Sequence, residues 1–141
     1  MFFAKLHPLI VHFPVGLLVS GALFEIYGKV GKEEAVRVAG RFNVRLGFWC
    51  ALPVTGVGFL GMLGLEDTKK FEAFLGNHIL SVFATLVFFL AALLISRFGR
   101  GWLRGGYYVF LGLGLVSVLA TGYFGGEMVH RFGVSTLKGI P

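Results

Sequence analysis

The chain has 141 residues, of which 56% are hydrophobic and 14% charged, with a formal net charge of +6, and its mean hydropathy is +0.82. Charged residues make up about a quarter of an ordinary soluble domain, so this composition is that of a membrane protein with room for one domain. The excess of cations falls in the connections between apolar segments and not on one face of a folded domain, so nucleic acid is not an expected partner and the lipid bilayer is.

Four stretches, residues 7–27, 46–65, 79–96 and 107–126, carry few or no charges. Each is close to the roughly 20 residues a helix needs to cross a ~30 Å hydrocarbon layer. The expected fold is all-α: a single integral membrane four-helix bundle occupying residues 1–141.

In chain order, Met1 to Leu6 is a short apolar lead-in, and His7-Pro8-Leu9-Ile10-Val11-His12-Phe13-Pro14 opens the first span. Pro8 suits a first helical turn, whereas Pro14 removes a hydrogen bond inside the helix and is expected to bend it near His12, turning that ring toward the bundle interior. Proline is also commoner in membrane helices generally, so the bend alone assigns no role. Only Lys5 precedes the apolar run and the stronger positive cluster follows it, so the segment reads as a span and not as a cleaved leader.

Gly28 to Arg45 is a polar connector that reads as a turn followed by a helix start. Arg37, Arg41 and Arg45 recur every four residues and share one face, expected to be a solvated or headgroup-facing stripe; Glu25 lies within reach of this basic loop. The second span holds Pro53, Cys50 and glycines at 47, 56, 58, 61 and 64. Glycines in a spanning helix permit close approach by a neighbouring backbone or by a flat cofactor, and the lone Cys50 packs as a small apolar residue. Residues 66–77 interleave charges with Phe71 and Phe74, the pattern of a short interfacial helix. Asn77 would then cap the third span and put His78 in its first turn. The fourth span includes the GxxxG pair Gly122 and Gly126 and ends at Glu127-Met128-Val129-His130-Arg131.

If the spans alternate, one side of the membrane receives Lys29, Lys32, Arg37, Arg41, Arg45, Arg97, Arg100 and Arg104, and the other receives Lys5, Lys69, Lys70, Arg131 and Lys138. Short loops rich in Lys and Arg stay cytoplasmic, so this bias places both termini on the outer, periplasmic side of the inner membrane. The same alternation gathers all four histidines, His7, His12, His78 and His130, in the outer half of the bundle.

An ionisable ring at membrane depth is a functional candidate by default. Imidazoles on three helices, small residues for a slot, and Lys5, Lys69, Lys70 and Arg131 at the surface for propionates are what one or two b-type haems would require. His7 and His12 are five residues apart, about 140° around a regular helix, so they would not serve one iron from the same face. His12 and His78 rank first as ligands and His7 and His130 second; Glu127 would either orient His130 or stand as a surface charge. A copper or other metal site remains open, although no His-x-x-x-His spacing is present. No acidic residue lies at a helix centre, which disfavours a proton relay, and a transporter of this size would have to oligomerise.

The opening motif His-Pro-Leu-Ile-Val-His-Phe-Pro-Val-Gly-Leu-Leu, four spans, and the closing Gly-Gly-Glu-Met-Val-His-Arg-Phe-Gly-Val together resemble the bacterial membrane family called domain of unknown function 2231. The resemblance covers essentially the whole chain. It implies a four-helix membrane domain whose relatives are sometimes joined or adjacent to Rieske-type or cytochrome c-type redox modules. In that family's closing motif an aromatic often takes the position of His130 and a histidine that of Phe132, a departure that leaves His7, His12 and His78 as the better matches. The functional expectation is a cytochrome b-like electron-transfer protein and not a stand-alone enzyme. Its partner would be a periplasmic or membrane cytochrome c-type or Rieske-type protein. The alternatives are a non-catalytic subunit or anchor of a larger redox complex, and a histidine-ligated copper or other metal site. A homo-oligomer is compatible with all three.

Overall fold

The computed structural model describes residues 2–62 and 69–132, all of whose regular structure is helical. There are five helices: α1 (Phe2–Ile10), α2 (His12–Gly31), α3 (Glu34–Met62), α4 (Lys69–Phe98) and α5 (Leu103–Phe132). The break between α1 and α2 is the single residue Val11, and Pro14 explains it. With no N–H, Pro14 cannot close a bond to the carbonyl of Ile10, while Val11 N–H still donates to the His7 carbonyl (3.0 Å) and Val15 N–H to the Val11 carbonyl (3.2 Å). Val11 keeps helical dihedrals, so α1 and α2 continue each other and Leu6–Gly31 forms one spanning unit.

Four helices are long and apolar enough to cross a membrane, at 26 to 29 residues each. Their apolar residues face outward as well as inward: Leu9, Phe13, Trp49, Leu80 and Val116 are all exposed. A helix that is apolar all round belongs in lipid or in a large protein core, and in a chain of this size it belongs in lipid. Two expected boundaries change. The second span is preceded by helix from Glu34 onward, and α4 begins at Lys69, more than two turns before Asn77, which is therefore an interior helical residue and not an N-cap. Residues 63–68, including part of the expected outer loop, lie outside the described residues.

α2 and α3 form one tight hairpin and α4 and α5 a second. Lys32 closes the first turn with φ 56°, while Glu33 N–H donates to the Gly28 carbonyl at 2.9 Å; Gly101, at φ 55°, sits in the second. The two hairpins repeat each other residue by residue. At one constant offset, the buried residues Pro14, Leu18 and Gly21 of α2 correspond to Thr85, Phe89 and Ala92 of α4. At a second constant offset, Gly40, Val44, Gly47 and Gly61 of α3 correspond to Tyr107, Leu111, Gly114 and Met128 of α5, again all buried. The packing repeats too, since Gly47 is seated against Leu18 and Gly114 against Phe89, the equivalent pair. The hairpins meet along α2–α5 and α3–α4. Those two contacts exchange places when the hairpins are exchanged, so the halves are related by an approximate two-fold axis running along the bundle.

Lipid tails are as apolar as leucine, so close packing and hydrogen bonds, more than apolar burial, hold such helices together. In the first hairpin the backbones approach at Gly21, Gly28, Gly40 and Gly47, where an added Cβ would meet the opposing helix at 2.6–3.1 Å. Between the hairpins, Tyr107 Oη donates to Glu25 Oε1 at 2.7 Å, and within the second hairpin the hydroxyls of Thr85 and Thr121 lie 3.2 Å apart. Gly122 and Gly126, the GxxxG pair, have open space where a Cβ would be, so they seat no helix within this chain.

Candidate functional site

His7 reaches across from α1 and its Nδ1 lies 3.0 Å from the carbonyl oxygen of Val54 on α3. His78 does the same from α4, with Nδ1 3.1 Å from the carbonyl oxygen of Thr121 on α5. Four residues beyond each acceptor stands a glycine, Gly58 or Gly125, and each is covered by the imidazole: an added Cβ would stand 2.9 Å from Cε1 of His7 and 3.2 Å from Cε1 of His78. The local logic is the same in both halves. A helix carbonyl keeps a second lone pair beyond its i+4 bond, and glycine one turn later leaves room for a ring to lie over that turn.

A carbonyl oxygen only accepts, so Nδ1 of each ring carries a proton and donates it. In a neutral imidazole that fixes the tautomer and leaves a lone pair on Nε2. Both rings are half-buried and both line one cavity between the hairpins, of about 120 Å³. Its remaining walls are almost wholly apolar, with Val11 at the helix break, Pro14 from α2, Val82 and Leu86 from α4 and Met128 from α5. His7 and His78 hold equivalent positions in the two hairpins, so each half contributes one histidine to the cavity.

The other predicted ligands are not brought together with these. His12 is exposed, which corrects the expectation that the Pro14 break turns it inward; the five-residue spacing puts His7 on the cavity side and His12 on the outer side. His130 is also exposed. Glu127 forms an ion pair with Arg131 and not a bond to His130. Arg131 itself lies over the Phe74 ring at 5.7 Å, and the side chains of Lys5, Lys69 and Lys70 lie outside the described residues. The ranking of ligands thus changes from His12 and His78 to His7 and His78. Among the described residues no group of three or more His, Cys, Asp or Glu converges as a metal site, so a closed copper or zinc centre is not assembled within the chain.

Sequence reasoning passed over Gly58 and Gly125 as ring seats and Thr121 as an acceptor. A signal was available: each histidine lies at the start of an apolar span, and the following span of the same hairpin carries glycine at the equivalent position. The Arg37 and Arg41 stripe is also less bland than expected, because Arg41 Nε lies 3.7 Å from the buried carboxylate of Glu25, and both arginines bind Glu34 at 2.6 Å.

No curated protein and no solved structure matches this chain. A family model described as a predicted membrane protein (DUF2231) matches residues 4–138, nearly the whole chain, and the chain therefore belongs to that family of membrane proteins.

Proposed function

We propose that the chain is a membrane electron-transfer protein that would hold a b-type haem between its two hairpins through His7 and His78. One observation carries this reading: two imidazoles, one from each half of the repeat, each tied back to a helix carbonyl through Nδ1 and each lining the same apolar cavity. A ligating histidine ordinarily donates its other ring N–H to just such an acceptor, which fixes the ring and raises its basicity. The donor set would be two neutral nitrogens, one from each hairpin, which suits haem iron and is too few for a four-coordinate metal.

The fit in volume is incomplete. A porphyrin is several times larger than the cavity's 120 Å³, so binding requires the hairpins to part. Contact between the hairpins is sparser than contact within them, and the separation would open along that boundary. Haem, when bound, supplies one-electron exchange; the chain's own contribution is to hold both rings neutral, oriented and shielded from water. The excess of Lys and Arg in the other loops supports a topology with the termini and the histidine end on the periplasmic side of the inner membrane, where a cytochrome c-type or Rieske-type partner would exchange electrons.

The test is a reduced-minus-oxidised visible spectrum of the full chain, purified in detergent from haem-replete cells. The expected result is sharp b-type bands, abolished in His7→Ala and in His78→Ala and retained in His12→Ala and His130→Ala. A colourless wild-type preparation overturns the proposal and leaves the role of a non-catalytic subunit or anchor.

A further inference from the structure

At the other end of the bundle, beside the two hairpin turns, lies a second cavity of about 380 Å³, lined by Glu25, Lys29, Arg37, Arg41, Arg104, Tyr107 and Tyr108 among others. Four cationic side chains face it against one carboxylate. Glu34 offsets part of this excess by pairing with Arg37 and Arg41, and a net positive lining remains. Glu25 Oε2 is buried and lacks a hydrogen-bond partner, and the Arg37 guanidinium and the Tyr108 hydroxyl face each other beside it. Glu25 is 0% exposed, and its other oxygen takes the Tyr107 hydroxyl at 2.7 Å. An unmade hydrogen bond on a buried charged group is costly, so Oε2 marks part of the complement of a ligand.

Their chemistry is specific. Arg37, Lys29, Arg104 and the Tyr108 hydroxyl offer donors and positive charge, which suit a phosphate. Glu25 Oε2 only accepts, and a phosphate oxygen cannot satisfy it; a hydroxyl on the same ligand can. An ammonium group is disfavoured there by the surrounding guanidinium charges. We infer that this cavity binds a phosphate ester bearing a free hydroxyl beside the phosphate, the chemistry of a phosphatidylglycerol headgroup or of a soluble polyol phosphate. Tyr27, Phe98 and Trp102 ring the same end at 61%, 71% and 86% exposure, the arrangement of aromatics at a membrane interface, which puts the cavity at headgroup depth. Glu25 corresponds to the exposed Ser96, and Gly40 to Tyr107, so the carboxylate and its hydroxyl partner are not repeated in the other half. The site lies away from His7 and His78, so it stands independently of haem.

The experiment uses the full chain, delipidated in neutral detergent and titrated with phosphatidylglycerol, phosphatidic acid or phosphatidylcholine in mixed micelles, with bound lipid counted by native mass spectrometry. Phosphatidylglycerol is expected to bind at least about tenfold more tightly than either other lipid, and Arg37→Gln to weaken it about tenfold, the loss of one charge-assisted bond. Tyr108→Phe, which removes one oxygen and keeps the ring, is expected to weaken it several-fold while the thermal unfolding of the protein stays in place. Soluble glycerol 3-phosphate that competes at the same site supports the inference with a soluble source; failure to compete while phosphatidylglycerol binds supports the lipid source. Equal binding of phosphatidylcholine, equal binding of phosphatidic acid, unchanged affinity in both variants, or no binding of any probe each overturns it.

Discussion

Replacing Gly40 by alanine tests whether the first hairpin is held by backbone proximity. A Cβ at this position would stand 2.7 Å from the Glu25 backbone nitrogen, 2.8 Å from the Gly21 carbonyl oxygen and 2.9 Å from Glu25 Cγ, where ordinary contact begins at 3.4 Å. Relief requires α2 and α3 to separate by roughly 0.6 Å, because two of the three atoms are helix backbone with no rotamer to yield. Overpacking of this kind costs about 1–3 kcal/mol, while alanine regains about 1 kcal/mol of helix propensity over glycine. Gly56→Ala provides the reference, since Gly56 lies on the same helix with nothing within 4 Å. The propensity gain is common to both variants, so their difference, about 1–3 kcal/mol with Gly40→Ala the less stable, isolates the steric overlap. Gly47→Ala should fall between them, as its neighbours are the Leu17 and Leu18 side chains at 3.0–3.1 Å, and these can give. The assay is reversible unfolding in mixed micelles with increasing dodecyl sulfate, followed by far-ultraviolet circular dichroism. If Gly40→Ala proves as stable as Gly56→Ala, the helices do not approach through this glycine and the account of the hairpin is wrong.

Gly58→Ala is expected to disturb its histidine more than Gly125→Ala does, because the overlap is with a ring atom at 2.9 Å in one case and 3.2 Å in the other; imidazole ¹⁵N chemical shifts should show loss of the Nδ1 hydrogen bond for His7 first. Tyr107→Phe removes the donor to Glu25 Oε1 and leaves both oxygens of a fully buried carboxylate unengaged by a hydroxyl. A loss of about 1–3 kcal/mol in the same unfolding assay is expected, and a neutral result would show that Arg41 alone satisfies Glu25. Leu18→Ala and Phe89→Ala occupy equivalent places in the two hairpins, with 2% and 0% exposure; each should cost about 2–5 kcal/mol, and a large loss in only one half would show that the repeat is geometric without being energetic. Glu127→Gln breaks an ion pair whose Arg131 side chain is 61% exposed, and a stability change above about 1 kcal/mol would contradict its reading as a surface pair.

The spanning helices could be read from the sequence because each is a long run with few charges, and charge is what a hydrocarbon layer excludes most strongly. The connection between the first two spans is much shorter than the polar stretch from Gly28 to Arg45 suggests, because helix resumes at Glu34 and only Lys32 and Glu33 make the turn. Which histidines share a site was harder. A chain-order argument sorts residues by depth, and depth is common to His7 and His12; it is blind to the direction a ring takes around the helix axis. The Pro14 argument anticipated a break, found at Val11, yet the break leaves helical dihedrals there, too small a change to swing His12 inward. The start of α4 was misplaced because Asn77 is a good N-cap by type, whereas the interfacial helix expected before it, with Phe71 buried, continues through Asn77 into the span without a break. The repeat itself escaped notice because it is one of burial and of small residues more than of letters, its identical pairs, among them His7 and His78, Gly28 and Gly99, Arg37 and Arg104, Gly47 and Gly114, and Gly58 and Gly125, being scattered along the spans at two different offsets.

A hairpin that pairs with a copy of itself needs only one histidine to furnish two facing imidazoles, since a rotation supplies the second. Joining the copies in one polypeptide keeps that economy at the end where His7 and His78 face each other and lifts it at the other, where a residue may change in one half without changing in both. Glu25 with Tyr107 is such a departure: in a symmetric dimer the same carboxylate would occur twice, with no tyrosine opposite the glycine that admits it. Two identical subunits can build a site on their axis; only a fused pair can build one that is charged on one side and hydroxylated on the other.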